Sequence, residues 1–415
     1  MATPRALRCI RCAKLFALTA GARGCDACEA AGIGANLTVD YGERAALRRD
    51  AIPALPRSMW RYEALLPAAA AEAVTLGEGA TPLVDAEKLG LGALWLKDES
   101  RNPTWSFKDR LASASVTMAK KLGARVIASS SSGNAGAATA AYAARAGLPC
   151  VVVTYRGAAG PMVTQMRAYG ALLLEVPTPE DRWRVLSAAV AQYRWWPTSV
   201  YYGPAVGSNP WGIEGYKTIA YEIAESLGWR APDWCAIPVC YGDSLYGIWR
   251  GFEEMRAMGW IDRVPRFVAA EISGSLAEAM RDGLEQPPAL PDQADTIAGS
   301  IRTVQATHQS VAALRAAGGH ALRISDEDML AWQERLARST GVWAEPAAAA
   351  TLPAIARLRE QGVIAEKETV VSLLTAGGLK DPQSTDTRLP PAPFVTGGAE
   401  DALRALKEAY GFEPD

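Results

Sequence analysis

The sequence of 415 residues predicts an α/β protein with two domains, in which parallel sheets are flanked by helices. Two observations support this expectation. Short apolar runs alternate along the chain with stretches of helical pattern, and that alternation is typical of parallel sheets. The chain is also longer than one ordinary hydrophobic core can support, so more than one domain is expected.

The predicted strands extend from residue 94 to residue 374. They are 94–99, 126–128, 149–153, 172–176, 235–239, 267–271 and 369–374. From this pattern we expect a zinc-ribbon-like segment at 1–30 and an N-terminal arm at 31–90. A small α/β domain is expected at 91–205 and a large one at 206–415.

The composition excludes several functional classes. Acidic and basic residues are mixed along the chain and the net charge is −2, so no nucleic-acid surface is expected. No apolar run approaches the roughly 18 residues of a membrane helix. Seven cysteines, four of them before residue 29, indicate metal ligands or free thiols and a cytoplasmic protein.

The four N-terminal cysteines form two pairs. Cys9 and Cys12 are separated by two residues, as are Cys25 and Cys28. Four thiolates close a tetrahedral zinc site, and with no open position such a site is structural. Four incidental reduced thiols, or a redox pair, are the alternatives that this spacing leaves open.

The segment 102–110, with the sequence NPTWSFKDR, lies between a predicted strand and a helical pattern at 111–122. Lys108 is therefore expected near the start of a helix. The positive end of the helix dipole lowers the pKa of such a lysine and favours the free amine that Schiff-base chemistry needs. The alternative is a solvated lysine without a catalytic role.

Three further segments follow predicted strands. The loops 129–136 and 240–247 each open a helix, where exposed backbone N–H groups can bind an anion, and Asn134 adds a side-chain donor. Thr375 ends the last strand and can offer a hydroxyl to a ligand. Each segment could also be an ordinary turn or cap.

Together these motifs resemble those of threonine synthase and its relatives among the fold-type-II pyridoxal-phosphate enzymes. The matching stretches occur in the family's order at 77–83, 102–110, 131–134, 209–218, 242–244, 345–346 and 375–381. The resemblance covers roughly residues 76–382. The four-cysteine start is also similar to that of some threonine synthases.

The resemblance implies a role for each motif. Lys108 would be the Schiff-base lysine and, once released, the base at the substrate Cα. Asn134 would bond the ring hydroxyl of pyridoxal phosphate, and Thr375 would meet its pyridine nitrogen. The cofactor phosphate would be held by the loop of Gly242, Asp243, Ser244, Leu245 and Tyr246. The substrate would be bound by Ser131, Ser132, Gly133 and Trp105.

Five positions depart from the family pattern. The family's usual residues are replaced by Trp105, Ala135, Gly212, Tyr216 and Gly377. The glycine replaced by Trp105 precedes the reactive lysine, and Gly212 stands where threonine synthases usually carry an arginine. The positions expected to bind the cofactor are kept, whereas donors suited to a phosphate leaving group are lost.

The resemblance therefore implies a pyridoxal-phosphate-dependent lyase of amino-acid metabolism. It would carry out elimination, with or without addition of a nucleophile, as in the conversion of O-phosphohomoserine to threonine. The alternative is a β-elimination enzyme for another 3-substituted amino acid, such as a dehydratase, an ammonia-lyase or a cysteate-synthase-like enzyme. A non-catalytic zinc-ribbon binding protein is the hypothesis from a different class. A homodimer is the assembly expected for this fold.

Overall fold

The computed structural model describes residues 3–19, 23–42, 47–158, 160–178, 181–292 and 295–413. The elements of the N-terminal part are β1 Ala6–Cys9, β2 Leu15–Phe16, α1 Asp26–Glu29 and β3 Leu37–Asp40. The strands form an antiparallel sheet in the order β2–β1–β3. Cys9 ends β1 and Cys12 lies in the turn after it, whereas Cys25 precedes α1 and Cys28 lies within it.

The segment after this sheet packs on the main body of the chain. It contains the short three-ten helices Arg49–Ala51, Met59–Leu65 and Ala70–Glu72. Trp60 is buried, and its indole nitrogen lies 2.9 Å from the Glu78 carboxylate and 2.8 Å from the Ser113 hydroxyl. The segment therefore packs beside the helix that begins at Lys108.

Six strands form the larger sheet of the main body. They are β4 Leu83–Asp85, β5 Leu94–Asp98, β10 Trp234–Pro238, β11 Arg266–Glu271, β12 His320–Arg323 and β13 Val370–Leu374. Their order is β12–β11–β10–β13–β5–β4, and the pairs are parallel except for β4 with β5. Strands β10 and β13 are buried along their whole length, because helices cover both faces of a central parallel strand.

A second sheet has four parallel strands. They are β6 Ile127–Ser130, β7 Cys150–Tyr155, β8 Leu172–Val176 and β9 Trp196–Pro197, in the order β8–β7–β6–β9. Strand β8 lies at the edge of this sheet, and its Leu172 side chain is 61% exposed. This sheet is therefore smaller and less completely covered than the six-stranded one.

Helices flank both sheets. They are α2 Lys108–Lys121, α3 Asn134–Ala146, α4 Pro161–Ala168, α5 Asp181–Tyr193, α6 Pro210–Ser226, α7 Asp243–Ala257, α8 Ser275–Arg281, α9 His308–Ala316, α10 Asp326–Thr340, α11 Pro346–Ala349 and α12 Thr351–Glu360. Helices α2 and α6 approach closely at Gly215, where an added Cβ would lie 2.1 Å from the carbonyl oxygen of Arg110. In the described part of the chain, no helix has both the length and the apolar character needed to cross a membrane.

The predicted fold class, an α/β protein with parallel sheets flanked by helices, is confirmed. Two strands of the six-stranded sheet come from ranges expected elsewhere. Strand β4 falls within the expected N-terminal arm at 31–90, and β5 falls within the range 91–205 expected for the small domain but pairs with β13. The local sequence pattern of β5 does not depend on which distant strand it pairs with, so the pairing with β13 could not be predicted from the sequence.

Residues 381–415 form a separate compact unit, whereas residues 1–380 form the other. The described part of the smaller unit contains helices α13 Pro382–Asp386 and α14 Ala399–Tyr410. Helix α14 lies where the sequence predicts a terminal helix.

Candidate active site

The loop before Lys108 is held by buried hydrogen bonds. The Asn102 side chain accepts from a backbone N–H at 3.0 Å and donates to the Glu99 carboxylate at 2.8 Å. Thr104 donates to the Asp109 carboxylate through its N–H at 2.7 Å and its hydroxyl at 2.6 Å. Because both ends of the loop are held, Lys108 has a fixed place as the first residue of α2.

Arg110 holds the start of α2 from the interior. Its guanidinium is fully buried and donates to Glu99 and Glu222, each at 2.7 Å. Lys97 donates to Glu222 as well, also at 2.7 Å. Burial alone would raise the pKa of Glu222, but the positive charges of Arg110 and Lys97 lower it. We call Lys97, Glu99, Arg110 and Glu222 the buried charge cluster.

The amine of Lys108 lies in an aromatic environment. Its Nζ is 4.6 Å from the ring centroid of Phe107 and 5.6 Å from that of Tyr216. Burial lowers the pKa of Lys108 and outweighs the nearby carboxylates of Asp243 and Glu345, which would raise it. The expected direction of the shift is therefore found, but with burial rather than the helix dipole as its main cause. The free amine is favoured.

Thr375 and the residues after it run along the Lys108 loop. The N–H of Phe107 donates to the carbonyl of Thr375 at 2.8 Å, and the N–H of Gly377 donates to that of Trp105 at 3.2 Å. Trp105 has a φ of +65°, a conformation that favours glycine, and its ring is 49% exposed. A strained residue of this kind is typical of functional sites.

Asn134 is the first residue of α3 and is buried. Its Nδ2 donates to Glu345 Oε2 at 3.0 Å, and Ser300 donates to the other Glu345 oxygen at 2.8 Å. Its Oδ1 is also buried, and no described residue bonds to it. Because an unpaired buried polar atom is costly, this oxygen indicates a place for a ligand group.

The loop of Ser131, Ser132 and Gly133 connects β6 to α3 and is partly exposed. The Ser131 hydroxyl accepts from the N–H of Gly133 at 3.1 Å. Helix α4 lies beside this loop, because a Cβ at Gly133 would come within 3.7 Å of the Met162 Sδ. The loop lies at the carboxyl end of a parallel strand, the usual location of ligands in open α/β sheets.

Helix α7 begins soon after β10, with no side-chain cap from the described residues. Gly242 has a φ of +78°, and an added Cβ would lie 2.4 Å from Ser310 Cβ. The first bond of the helix runs from the N–H of Tyr246 to the carbonyl of Gly242 at 2.9 Å. Tyr246, expected among the phosphate donors, therefore uses its N–H within the helix. The donors left at the helix start belong to Asp243, Ser244 and Leu245.

The four N-terminal cysteines lie together. Their sulfur atoms are all within 4.8 Å of one another, and the closest pairs are Cys12 with Cys25 at 3.6 Å and Cys9 with Cys28 at 3.7 Å. Sulfur ligands on one tetrahedral zinc ion are roughly 3.8 Å apart, given Zn–S bonds of about 2.3 Å. The donor set and its spacing therefore fit a metal ion.

The chain is similar to known proteins over most of its length. The family model described as pyridoxal-phosphate dependent enzyme matches residues 74–376. The threonine synthase of Methanosarcina acetivorans is 37% identical over 358 residues, covering 84% of this chain and 86% of the relative. The threonine synthase of Halalkalibacterium halodurans is 36% identical over 361 residues, covering 83% of this chain and 97% of the relative.

The chain belongs to the pyridoxal-phosphate-dependent enzymes. The family and these relatives identify a lyase similar to threonine synthase that acts on a carbon–oxygen bond, and they favour it over the β-elimination alternative.

Solved structures support the fold. Serine racemase from Dictyostelium discoideum superposes with a TM-score of 0.59 at 19% identity, covering 72% of this chain and 92% of that one. O-ureido-L-serine synthase superposes with a TM-score of 0.58 at 22% identity, covering 78% of this chain and 96% of that one.

The residues around Lys108 fit the cofactor of this family. Pyridoxal phosphate needs a lysine amine, a partner for its ring hydroxyl and N–H donors for its phosphate. The buried amine of Lys108, the unpaired oxygen of Asn134 and the uncapped start of α7 meet these needs. Lys108 is thus close enough to feel the charges of Asp243 at the start of α7 and of Glu345, the partner of Asn134.

Two residues of this site were matched only as parts of motifs and were given no role. Glu345 is the carboxylate that bonds Asn134. Lys380 belongs to the matched stretch 375–381 and is 1% exposed. Since most lysines are solvated, no local sequence signal distinguishes a buried one.

Proposed function

We propose that the protein converts O-phosphohomoserine to threonine by eliminating phosphate and adding water. The observation that carries this proposal is the buried amine of Lys108, whose pKa is lowered by burial, together with the unpaired Asn134 Oδ1 and the uncapped start of α7. The similarity to threonine synthases over most of the chain supports the same substrate.

In this proposal each residue of the chain has one task. Bound pyridoxal phosphate supplies an electron sink for the substrate. Lys108 holds the cofactor and then accepts a proton from the substrate Cα through Nζ, since burial lowers its pKa and so favours the free amine. Ser131, Ser132 and Gly133 bind the substrate carboxylate, with Trp105 beside it.

The cofactor-binding residues have separate tasks. Asn134 orients the cofactor by bonding the hydroxyl group of its ring. The Asn134 side chain is itself oriented by its bond to Glu345. The N–H groups of Asp243, Ser244 and Leu245 bind the phosphate, which the positive end of α7 also favours. Thr375 meets the pyridine nitrogen as a neutral partner. A neutral partner gives a weaker electron sink than an aspartate would, which suits elimination.

One assay tests the proposal against the β-elimination alternative. The holoenzyme is incubated separately with O-phosphohomoserine, serine, threonine and O-phosphoserine, and phosphate, ammonia, 2-oxo acid and threonine are measured together. We expect equal amounts of phosphate and threonine from O-phosphohomoserine. A 2-oxo acid formed with ammonia from one of the other substrates, and no threonine from O-phosphohomoserine, would refute the proposal.

We propose in addition that the four cysteines bind a structural zinc ion in a reducing, cytoplasmic environment. The spacing of their sulfur atoms supports this, as does the need to keep four adjacent thiols from forming disulfides. One zinc ion per chain is expected by elemental analysis. Cys25→Ser should lose it, whereas Cys150→Ser, a buried cysteine outside the cluster, should keep it.

A further inference from the structure

Lys380 is a buried lysine within the candidate site. It belongs to a short three-ten helix, Gly378–Lys380, directly after the Thr375 segment. The residues between Thr375 and Lys380 are bonded to the Lys108 loop and to the residues before α11. Lys380 is therefore attached to the same part of the structure that holds the reactive lysine.

The ammonium of Lys380 has one hydrogen-bond partner among the residues that the structure describes. Its Nζ donates to the Gln165 side-chain oxygen on α4 at 2.5 Å and lies 5.9 Å from the ring centroid of Trp105. A lysine ammonium has three donors, so a single neutral acceptor leaves it incompletely bonded. A buried cation without an ion-pair partner is costly unless a ligand compensates it.

The nearest carboxylates have other partners. Asp109 accepts two bonds from Thr104, and Glu345 accepts from Asn134 and Ser300. Both attract the ammonium of Lys380 through their charge. The positive charge of Lys380 is therefore left for an anion from outside the chain.

The position of Gly212 explains why an anion would need this lysine. An added Cβ at Gly212 would lie 2.8 Å from Leu111 Cγ and 3.1 Å from the Leu111 carbonyl oxygen. Any side chain at this position of α6 would require Leu111 to move, and Gly212 itself offers no charge to an anion. Lys217, on the same helix, is buried and bonded to Glu214 and Glu254.

We propose that Lys380, with Gln165 and Trp105 beside it, is the anion-binding subsite for the charged end of the substrate side chain. This inference rests on the proposed function, in which that charged end is the phosphate of O-phosphohomoserine. The half-exposed ring of Trp105 forms one wall of the subsite. Its strained backbone is then explained, because it holds the ring next to the ammonium.

The subsite should depend on pH. Burial lowers the pKa of Lys380 to about 8, against the attraction of Asp109 on α2 and Glu345 before α11. The third neighbour, Gln165 on α4, carries no charge. Because only the protonated amine attracts an anion, binding should be strong below this pKa and weaken as the pH rises through it.

Sulfate binding to the holoenzyme tests the inference without turnover. Sulfate stays a dianion across the pH range, so any change in its affinity reports on the protein. We expect calorimetry to give an affinity that falls about tenfold or more between pH 7 and pH 9. Lys380→Met should lose at least about tenfold in affinity at pH 7, and Lys380→Arg should retain most of it. Lys120→Met, at an exposed position of α2, is the matched control and should bind like the wild type.

Kinetics give the second readout. In Lys380→Met the KM for O-phosphohomoserine should rise about tenfold or more, with cofactor absorbance unchanged. If Lys380 instead only ties α4 to the rest of the site, Gln165→Leu and Lys380→Met should behave alike, and Lys380→Arg should not recover anion affinity. That result would overturn the inference, as would pH-independent sulfate binding.

The two proposals can fail separately. If Lys380→Met turns over O-phosphohomoserine with an unchanged KM, the proposed subsite is wrong but the proposed reaction stands. If sulfate binding depends on Lys380 but the wild type does not turn over O-phosphohomoserine, the proposed reaction is wrong and the anion subsite stands.

Discussion

The two parallel sheets of the protein are stabilised in different ways. The six-stranded sheet has central strands buried over their whole length, and the buried charge cluster lies beside it. The four-stranded sheet is covered by the alanine-rich helix α3, and its edge strand β8 is largely exposed. Regions with fewer buried contacts open more easily, so the smaller sheet is expected to be the more adjustable one.

This difference matches the division of the candidate site. The Lys108 segment is bonded to the buried charge cluster and to the Thr375 segment after β13, on the side of the larger sheet. The loop 131–133 follows β6 of the smaller sheet. The side-chain bonds between the two sides include those of Asn134 with Glu345 and of Gln165 with Lys380. The segment that carries Lys108 is thus held firmly, while the expected carboxylate loop lies on the part that can adjust to a substrate.

The largest effect is expected at Lys108. Lys108→Ala removes the amine that holds the cofactor and moves the proton, so activity should fall by about a thousandfold or more. The visible absorbance of the bound cofactor should change as well, and urea unfolding should show that the fold is kept. If the variant keeps normal activity and absorbance, the chemistry does not lie on the side of the larger sheet.

The second prediction concerns the buried charge cluster. Arg110→Met leaves the carboxylates of Glu99 and Glu222 buried without their main partner, so unfolding should become easier by about 3–5 kcal/mol. Lys121→Met, at the other end of α2, breaks only the exposed pair with Glu72 and should cost no more than about 1 kcal/mol. Equal losses in urea unfolding would mean that the cluster does not stabilise this side more than an exposed pair does.

The cluster also determines the response to acid. The pKa of Glu222 lies below its ordinary value, because Arg110 and Lys97 oppose the effect of burial. Such a group contributes stability that is present above the unfolded pKa of about 4.3 and is lost as the pH falls below it. The wild type should therefore lose stability below about pH 4.3, and Arg110→Met should lose less over the same range.

The sequence predicted the strands and the reactive segment because both depend on local pattern. Strands β5, β6, β7, β8, β10, β11 and β13 lie at the predicted places. The pairing of β5 with β13 and the short strands β9 and β12 were missed, since they depend on contacts between distant residues. In the site, Lys108 and Asn134 were singled out by their motifs. The burial of Lys380 could not be predicted from the sequence, because it depends on packing against α4, which is distant in the chain.

Two glycines allow the next comparison. At Gly215 an added Cβ would meet the Arg110 carbonyl at 2.1 Å, and backbone cannot yield, so Gly215→Ala should cost about 3 kcal/mol. At Gly136 the closest atom is the flexible end of Met166 at 2.6 Å. Gly136→Ala should therefore change stability by no more than about 1 kcal/mol, because the gain in helix propensity offsets part of the strain.

Urea unfolding of both variants at one temperature measures this difference. If Gly136→Ala proved the more damaging, the helices beside the smaller sheet would be packed more rigidly than those beside the larger one. A raised KM in Gly136→Ala with nearly normal stability would instead support an adjustable loop at 131–133, since Gly136 lies just after it.

The smallest effect is expected at the edge of the smaller sheet. Leu172 on β8 is 61% exposed, so Leu172→Thr exchanges one strand-compatible side chain for another in water and should change stability by no more than about 0.5 kcal/mol. Val371 on β13 is 1% exposed, and Val371→Thr places a hydroxyl in a site without water at a cost of about 1–3 kcal/mol. Both variants introduce threonine, which favours strands. A difference between their unfolding midpoints therefore reports on the burial of the two positions rather than on strand propensity. A loss at Leu172 as large as that at Val371 would mean that another surface covers β8 in the assembled protein, and the smaller sheet would then be less free to adjust than its exposure indicates.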